Sequence, residues 1–307
     1  MSLPKYIQGF SFYKDSLIKI QKELRTLKDD EVLIQNKTIG LNPVDWKVKK
    51  PENTIIGVDG AGVAIATNSA NINIGSRYAY HCDLNFDGSF ADYTIVKAKA
   101  LIPLDEHVSD ILAASLPCTG LTAIQSLEKL PFVKNKNILI YGCGSMVGKI
   151  LASLLIKKGA RIYVCASEIH HKELYQQGVI KCYDYADNID IHNLYAVFDT
   201  TGKAEHLIHK IAYYGHMINI LNRVKINPLN LFSTCVSFHE IALGAIHSYG
   251  SDEDFSDLIK KGIKLYKKAI NKELLLPKLE LVKFDEIPQK LQSLKEGVKG
   301  VKFVAQI

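Results

Sequence analysis

The sequence predicts an α/β protein in two parts, a β-rich segment up to about residue 105 and a parallel, doubly wound sheet from Lys136 to about Ile246. Three observations lead there. Short strand-like runs broken by turn residues fill the first part, strand and helix patterns alternate in the second, and a glycine turn joins one strand directly to one helix. That turn is Gly142-Cys-Gly-Ser-Met-Val-Gly148. It follows the apolar strand Ile138, Leu139, Ile140, Tyr141 and opens a helix carrying Val147, Ile150, Leu151, Leu154 and Leu155. Lys157, Lys158 and Gly159 close the helix with cations and a glycine at the favoured end. A second apolar strand, Arg161–Cys165, follows at once. Strand, tight turn, helix and strand in this order offer backbone N–H groups and a helix N-terminus to a pyrophosphate. Gly142, Gly144, Ser145, Met146, Val147 and Gly148 are therefore candidate dinucleotide-binding residues. The competing reading is a doubly wound sheet whose turn binds nothing.

In the first part the strand-like runs are Glu31–Asn36, Gly62–Ala66, Arg77–Tyr80 and Phe90–Val96, with Asp87-Gly88 as a turn. Ser109 suits an N-cap for a helix over Asp110–Leu116, Pro117 interrupts, and Thr122–Leu130 reads as a second helix. The sheet strands are expected at Asn137–Tyr141, Arg161–Cys165, Ala196–Phe198, Met217–Leu221 and Phe238–Leu243. Ser251 caps an acidic first turn (Asp252, Glu253, Asp254) of an amphipathic docking helix with Phe255, Leu258, Ile259, Ile263 and Tyr266 on one face. The tail, Leu279–Phe284, a short helix and Val301–Ile307, returns to strand character and is expected to rejoin the first part.

Composition narrows the classes. A length of 307 residues suggests two domains with cores of their own. Thirty-eight basic residues against 32 acidic ones, in no long basic run, could attract an anionic cofactor but fall short of a nucleic-acid footprint. The six cysteines are scattered, with no C-x-x-C, as in a reduced, cytoplasmic chain. No signal peptide and no apolar run of membrane-spanning length is visible.

Seven segments then fall in a recognisable order: Gly40-Leu-Asn-Pro-Val-Asp-Trp-Lys47, Gly57-Val-Asp-Gly-Ala-Gly62, Gly88-Ser-Phe-Ala-Asp-Tyr93, Ala113-Ala-Ser-Leu-Pro117 with Gly120-Leu-Thr-Ala123, the glycine turn, Asp199-Thr-Thr-Gly202, and Gly300-Val-Lys-Phe-Val304. On these the chain resembles the medium-chain dehydrogenase/reductase superfamily, in particular its zinc-independent quinone-oxidoreductase-like branch. The resemblance implies a discontinuous GroES-like catalytic domain (1–122 and 267–307) and a Rossmann dinucleotide-binding domain (123–266). It also implies a cofactor in the cleft between the domains, and a homodimer. Two departures stand out. Ser145 and Met146 occupy positions where the branch usually has glycine, and the segment between Trp46 and Gly57, which often shapes the substrate pocket, is short.

Zinc members of the superfamily place a cysteine near Asn42–Asp45, a Gly-His-Glu at the next motif, and a further ligand at the position of Ser115. Here Gly57-Val58-Asp59 replaces Gly-His-Glu, and valine offers no donor. Cys118 lies three residues beyond the ligand position. In His81-Cys82-Asp83, neighbours on a strand point to opposite faces. His206 and His209, one helical turn apart, read as exposed helix histidines. No metal is expected.

The strand after the glycine helix ends Val164-Cys165-Ala166-Ser167. Ala166 stands where an acidic residue would grip a ribose 2′-hydroxyl. Ser167 suits a 2′-phosphate as donor, and His170, His171 and Lys172 lie within reach, although Glu168 argues the other way. The pattern favours NADPH over NADH; the alternative is a solvated helix start. Without zinc the natural reaction is reduction of an electron-poor small molecule, a quinone or an α,β-unsaturated carbonyl. By resemblance Asn42 holds the nicotinamide carboxamide or the substrate oxygen, Lys47 stabilises an oxyanion, and Asp45 orients Lys47. Asn42-Pro43 as a mere turn, with Asp45–Lys47 its exposed continuation, is the plainer alternative. Thr122 could meet the nicotinamide ribose or simply start a helix, Asp199 caps the turn after its strand, and Gly202 lets that turn approach the cofactor. A non-catalytic nucleotide-binding protein keeping the fold, and a zinc-type alcohol dehydrogenase, are the other functional classes.

Overall fold

A computed structural model describes residues 3–224 and 228–307. The chain divides into two compact units, residues 1–121, 244–271 and 278–307 in the first, 122–243 and 272–277 in the second.

The first unit opens with an antiparallel hairpin of β1 (Tyr6–Tyr13) and β2 (Ser16–Glu23) that the strand pattern did not signal. β2 has no buried residue, so its alternation is not written in apolar side chains. A seven-stranded sheet follows, made of β3 (Glu31–Gly40), β4 (Asp59–Thr67), β5 (Arg77–His81), β6 (Tyr93–Lys97), β7 (Leu101–Pro103), β14 (Lys278–Lys283) and β15 (Val301–Gln306). Its order is β14-β15-β3-β4-β5-β7, with β6 also paired to β3. β15 lies antiparallel to β3, so the two ends of the chain share one sheet. Its core contains Ile39, Leu41, Ile55, Phe90, Ile287, Leu291 and Phe303.

Helices α1 (Val44–Lys47), α2 (Asp110–Ser115) and α3 (Pro117–Leu127) complete the N-terminal portion. Pro117 does not separate α3 from a later start. It is the first residue of α3, where a missing N–H removes no helical bond and the ring presets φ. Thr122 is therefore a buried mid-helix residue, and its carbonyl accepts from Ser126 Oγ at 2.7 Å. Ser109 sits at the N-cap of α2 without a side-chain cap bond.

The second unit is a six-stranded, wholly parallel sheet of β8 (Asn137–Tyr141), β9 (Arg161–Cys165), β10 (Lys181–Tyr183), β11 (Leu194–Asp199), β12 (Ile211–Asn219) and β13 (Ser237–Glu240). The order β10-β9-β8-β11-β12-β13 is the 3-2-1-4-5-6 arrangement of a dinucleotide-binding sheet. Only β10, three residues long, escaped the sequence reading, because it is too short to show a period. Helices α4 (Met146–Lys157) and α5 (His171–Gln176) belong to this unit.

Residues 244–271, of which 244–266 were expected with the second unit, group with the first. They hold α6 (Ile246–Tyr249) and α7 (Asp252–Ile270). The apolar stripe of α7 explains the placement. Phe255 packs into the cluster of Val32, Tyr80, Val96 and Leu101, and Tyr266 Oη donates to Ala113 O at 2.5 Å. Ser251 caps its start, as the sequence foretold, and Asp254 returns a bond to the cap to make a reciprocal capping box. α8 (Ile287–Lys295) links β14 to β15. Among the described residues, no helix is long and apolar enough to cross a membrane.

Candidate active site

In the second unit the glycine turn lies between β8 and α4. Gly142 has φ +92°, which a side chain would strain, and Thr200 Oγ1 donates to its carbonyl at 3.0 Å. Gly148 is needed for close packing, since a Cβ there would lie 2.6 Å from Cys143 Cα. Ser145, one of the two departures from glycine, is the N-cap of α4. Its Oγ accepts from Gly148 N–H at 3.1 Å and donates to Gly142 O at 2.9 Å. The hydroxyl expected to face a pyrophosphate is thus engaged in holding the turn.

Gly142 and Cys143 N–H groups go to Cys165 O, and Ser145 N–H to Gly142 O. Among the described residues, neither the turn nor the cap takes up the N–H groups of Gly144, Met146 and Val147. These, with the positive end of α4, fit a diphosphate.

Gly144 is glycine for a reason the motif does not contain. A Cβ there would sit 2.4 Å from Cδ2 of the His170 ring. His170 is buried, and its Nδ1 lies 3.0 Å from Glu173 Oε1. The same carboxylate oxygen meets Lys149 Nζ at 2.5 Å, and Lys149, on the first turns of α4, is only 2% exposed. Lys149, Glu173 and His170 thus form a network behind the turn that motif reading missed. Its signal was a lysine inside the apolar run Met146–Leu155, a position that demands a carboxylate partner. Gly144→Ala is expected to weaken dinucleotide affinity, and adding His170→Ala to restore most of it by vacating the ring's space. Fluorescence titration of both variants checks this; a double variant as weak as the single one contradicts the packing explanation.

Of the residues proposed for a 2′-phosphate, Ser167 is half-buried and Lys172 exposed, while His171 Nε2 lies 2.8 Å from Ala166 O. Ala166 is fully buried. Asp199 acts as the cap expected of it. Oδ1 accepts from Thr201 N, Thr201 Oγ1 and Gly202 N at 2.8–2.9 Å, and Oδ2 from Ala204 N at 2.9 Å. Gly202, at φ +75°, completes that turn. His206 and His209 are exposed.

In the first unit Asn42 is 1% exposed. Its Nδ2 donates to Gly40 O at 3.1 Å and to Asp59 Oδ2 at 2.9 Å, and its Oδ1 accepts from Lys302 Nζ at 2.5 Å. The amide is engaged within the unit on both sides. Lys302 also donates to Leu41 O at 3.0 Å and lies 3.8 Å from Asp59 Oδ2. Asp45 is buried, not exposed beyond a turn. Its Oδ2 accepts from Asn42 N–H at 2.6 Å, and its Oδ1 has no hydrogen-bond partner among the described residues. Among the described residues it makes no ion pair with Lys47, which is exposed, so Asp45 does not orient that lysine. Partial desolvation draws the Lys47 ammonium below the ordinary lysine range.

Burial pushes the Asp45 carboxyl up to about 8, with the neighbouring Asp59 adding to the effect, and burial pushes Asp59 up to about 7. We place the negative charge on Asp59, because Lys302, Asn42 Nδ2 and the Cys118 N–H (2.9 Å) all face it, and the proton on Asp45.

Two of the positions at which zinc members carry ligands offer no free donor here, while Asp59, at the glutamate of their motif, keeps a carboxylate. Val58 has no donor, and Ser115 Oγ donates to Leu112 O at 2.9 Å. A different group does meet a metal's spacing: one ligand atom each of Asp59, His81 and Cys118 all lie within 4.8 Å of one another. His81 is buried and stacks on His247 with centroids 5.9 Å apart. Burial, with His247 and Lys50 adding to it, pulls its ring down to about 3, so it is neutral.

Residues 28–106 match the family model of the alcohol dehydrogenase GroES-like domain. That match agrees with the resemblance of the chain's motifs to the medium-chain dehydrogenase/reductase superfamily. The chain is 26% identical over 256 residues to a 2-methylene-furan-3-one reductase of Solanum lycopersicum, the match covering 73% of this chain and 64% of that protein. It is 27% identical over 250 residues to a chloroplastic NADPH-dependent alkenal/one oxidoreductase of Arabidopsis thaliana, again covering 73% and 64%. The chain thus spans somewhat less than two thirds of these two relatives. Its fold superposes on a quinone oxidoreductase from Coxiella burnetii with a TM-score of 0.81 at 20% identity, covering 99% of this chain and 100% of that one.

Proposed function

We propose that this chain is a nicotinamide-dependent reductase that delivers hydride to an electron-poor carbon of a small quinone or α,β-unsaturated carbonyl, with NADPH preferred over NADH. The observation that carries the reading is the start of α4, where three backbone N–H groups stand at the first strand of a 3-2-1-4-5-6 sheet. When bound there, the dinucleotide supplies the hydride. The N–H groups of Gly144, Met146 and Val147 hold its diphosphate, and Ser145 keeps the turn in shape. Ala166 presents no carboxylate to the ribose, so a 2′-phosphate meets no like charge there, and Ser167 and Lys172 offer it a hydroxyl and an ammonium. On the substrate side Lys47, the exposed cation of the Asn42–Lys47 segment, stabilises the oxyanion that forms as hydride reaches carbon. Quinones and enones need only hydrogen bonds and a proton for that step, so no metal is required in it. The names of the tomato and Arabidopsis relatives support both the substrate class and the cosubstrate.

Following the absorbance of reduced nicotinamide against a panel of quinones and enones tests this. Turnover is expected with NADPH and, more slowly, with NADH. The second reading, a non-catalytic nucleotide-binding protein, is favoured by the His170 ring packed on Gly144. NADPH binding without turnover across the panel would select it.

A further inference from the structure

We propose that Lys149 sets the cosubstrate preference from behind the glycine turn, by cancelling the charge of Glu173 so that a phosphate-rich nucleotide is not repelled there. The inference rests on the dinucleotide reading given above and deepens it. Lys149 stands on the first turns of α4, followed by Ile150, Leu151 and Ala152, none of which reaches solvent. Its side chain is 2% exposed, and its ammonium meets Glu173 Oε1 at 2.5 Å. Lysine is almost never so deeply buried without a partner, and an apolar residue in its place would hold the helix at least as well. Stability alone therefore does not account for the ammonium, and its charge does.

Glu173 has a local reason to stand where it does. It lies on the first turn of α5, three residues after His170, and its Oε1 is 3.0 Å from His170 Nδ1. An ionised carboxylate only accepts, so Nδ1 carries the proton and the bond orients the ring that packs on Gly144. Glu173 is thus a positioning residue, acting on the turn through His170. The arrangement also brings an anion close to an anion site. Only the breadth of one imidazole separates the carboxylate from Gly144, inside the roughly 8 Å over which charges act at physiological ionic strength. Glu173 is also next in sequence to Lys172, on the segment offered to the 2′-phosphate. Among the described residues, Lys149 is the lysine paired with it. Burial pushes the neighbouring Cys143 thiol up, so that group adds no charge. Lys149 therefore lets Glu173 hold the ring without opposing the nucleotide. NADPH brings a diphosphate and a 2′-phosphate, NADH the diphosphate alone, about half the negative charge at neutral pH. A charge left bare behind the turn acts more strongly on NADPH in that proportion.

Fluorescence titration of the intact chain with NADPH and with NADH at pH 7 tests this. Lys149→Met bares the Glu173 charge and should raise the dissociation constant about tenfold for NADPH and about threefold for NADH, ordinary sizes for coupling between neighbouring sites. Adding Glu173→Gln removes that charge while the amide oxygen still accepts from His170. The double variant should return both constants to within about twofold of the unaltered chain, as expected when both members of a buried pair are neutralised. Glu173→Gln alone leaves the ammonium in excess and should tighten NADPH more than NADH. This arm decides the matter should Lys149→Met not fold. Lys158→Met, at the exposed C-cap of the same helix, should change neither constant. Circular dichroism confirms that each variant is folded. Equal losses for the two nucleotides in Lys149→Met, a loss that survives the added Glu173→Gln, or NADPH weakened by Glu173→Gln alone would indicate packing and overturn the proposal. An unaltered chain that binds neither nucleotide removes the dinucleotide reading and this inference with it. One that binds both, with a ratio the variants leave unchanged, removes this inference alone.

Discussion

Lys302→Met is expected to destabilise the first unit by about 3–5 kcal/mol at pH 8, the loss that follows when one partner of a buried ion pair is removed. Lys302 is 5% exposed, on a strand whose neighbours Phe303, Val304 and Ala305 are buried as well. Its ammonium joins Leu41 O, Asn42 Oδ1 and Asp59, so its removal leaves Asp59 facing only neutral donors, beside a second buried carboxyl at Asp45. The pH dependence has a definite sign. Folded Asp59 keeps its proton up to about pH 7, whereas an unfolded aspartate loses it near the ordinary carboxylate value. Lys302 stabilises only the charged form, so the loss is largest above about pH 7 and shrinks as the pH falls and Asp59 is protonated. Urea denaturation of both proteins at pH 5 and pH 8 measures it. Equal stabilities at pH 8 would mean that the ammonium does not hold this network together.

Gly148→Val should raise the dinucleotide dissociation constant about a hundredfold, the scale of losing one or two hydrogen bonds to a charged group at about 1.5–3 kcal/mol each. The branched side chain would enter space where even a Cβ stands 2.6 Å from Cys143 Cα and 2.9 Å from Gly142 O. Both obstacles are backbone, so relief comes only by moving the first turn of α4 away from the glycine turn. That movement disperses the Gly144, Met146 and Val147 N–H groups from one another. Overpacking of this kind also destabilises by about 1–3 kcal/mol, so the titration is run on protein shown by circular dichroism to be folded. Unchanged affinity in a folded variant would dissociate the turn from nucleotide binding.

Long-range architecture was legible where local patterns were strong. β8 and β9 stand at the residues expected, because continuous apolar runs, one ended by Gly142 and the other begun just after Gly159, leave little choice of bounds. Ser251 and Asp254 announced the start of α7 by chemistry alone. The packing partner of α7 was not legible, since an amphipathic stripe says that a face is buried but not against what. Pro117 misled for a similar reason: the same residue ends one helix or begins another, and only the turn before it decides.

The candidate site was legible in part. The glycine turn was found, but its detailed roles were not, because Ser145 caps the helix from within and His170 reaches Gly144 from a segment more than twenty residues on. Lys302, Lys149 and the Asp59–His81 pair are properties of sheet register and burial. A charged residue within an apolar run was the only trace of the lysines in the sequence, and pairing across β4 and β5 left none.

The most direct measurement is amide hydrogen exchange on the intact chain during titration with NADPH and with NADH. Saturable binding, tighter for NADPH, with new protection of the Gly144, Met146 and Val147 amides, is the predicted result. Failure of either nucleotide to bind, or binding that leaves those three amides exchanging as before, would contradict a dinucleotide held at the start of α4.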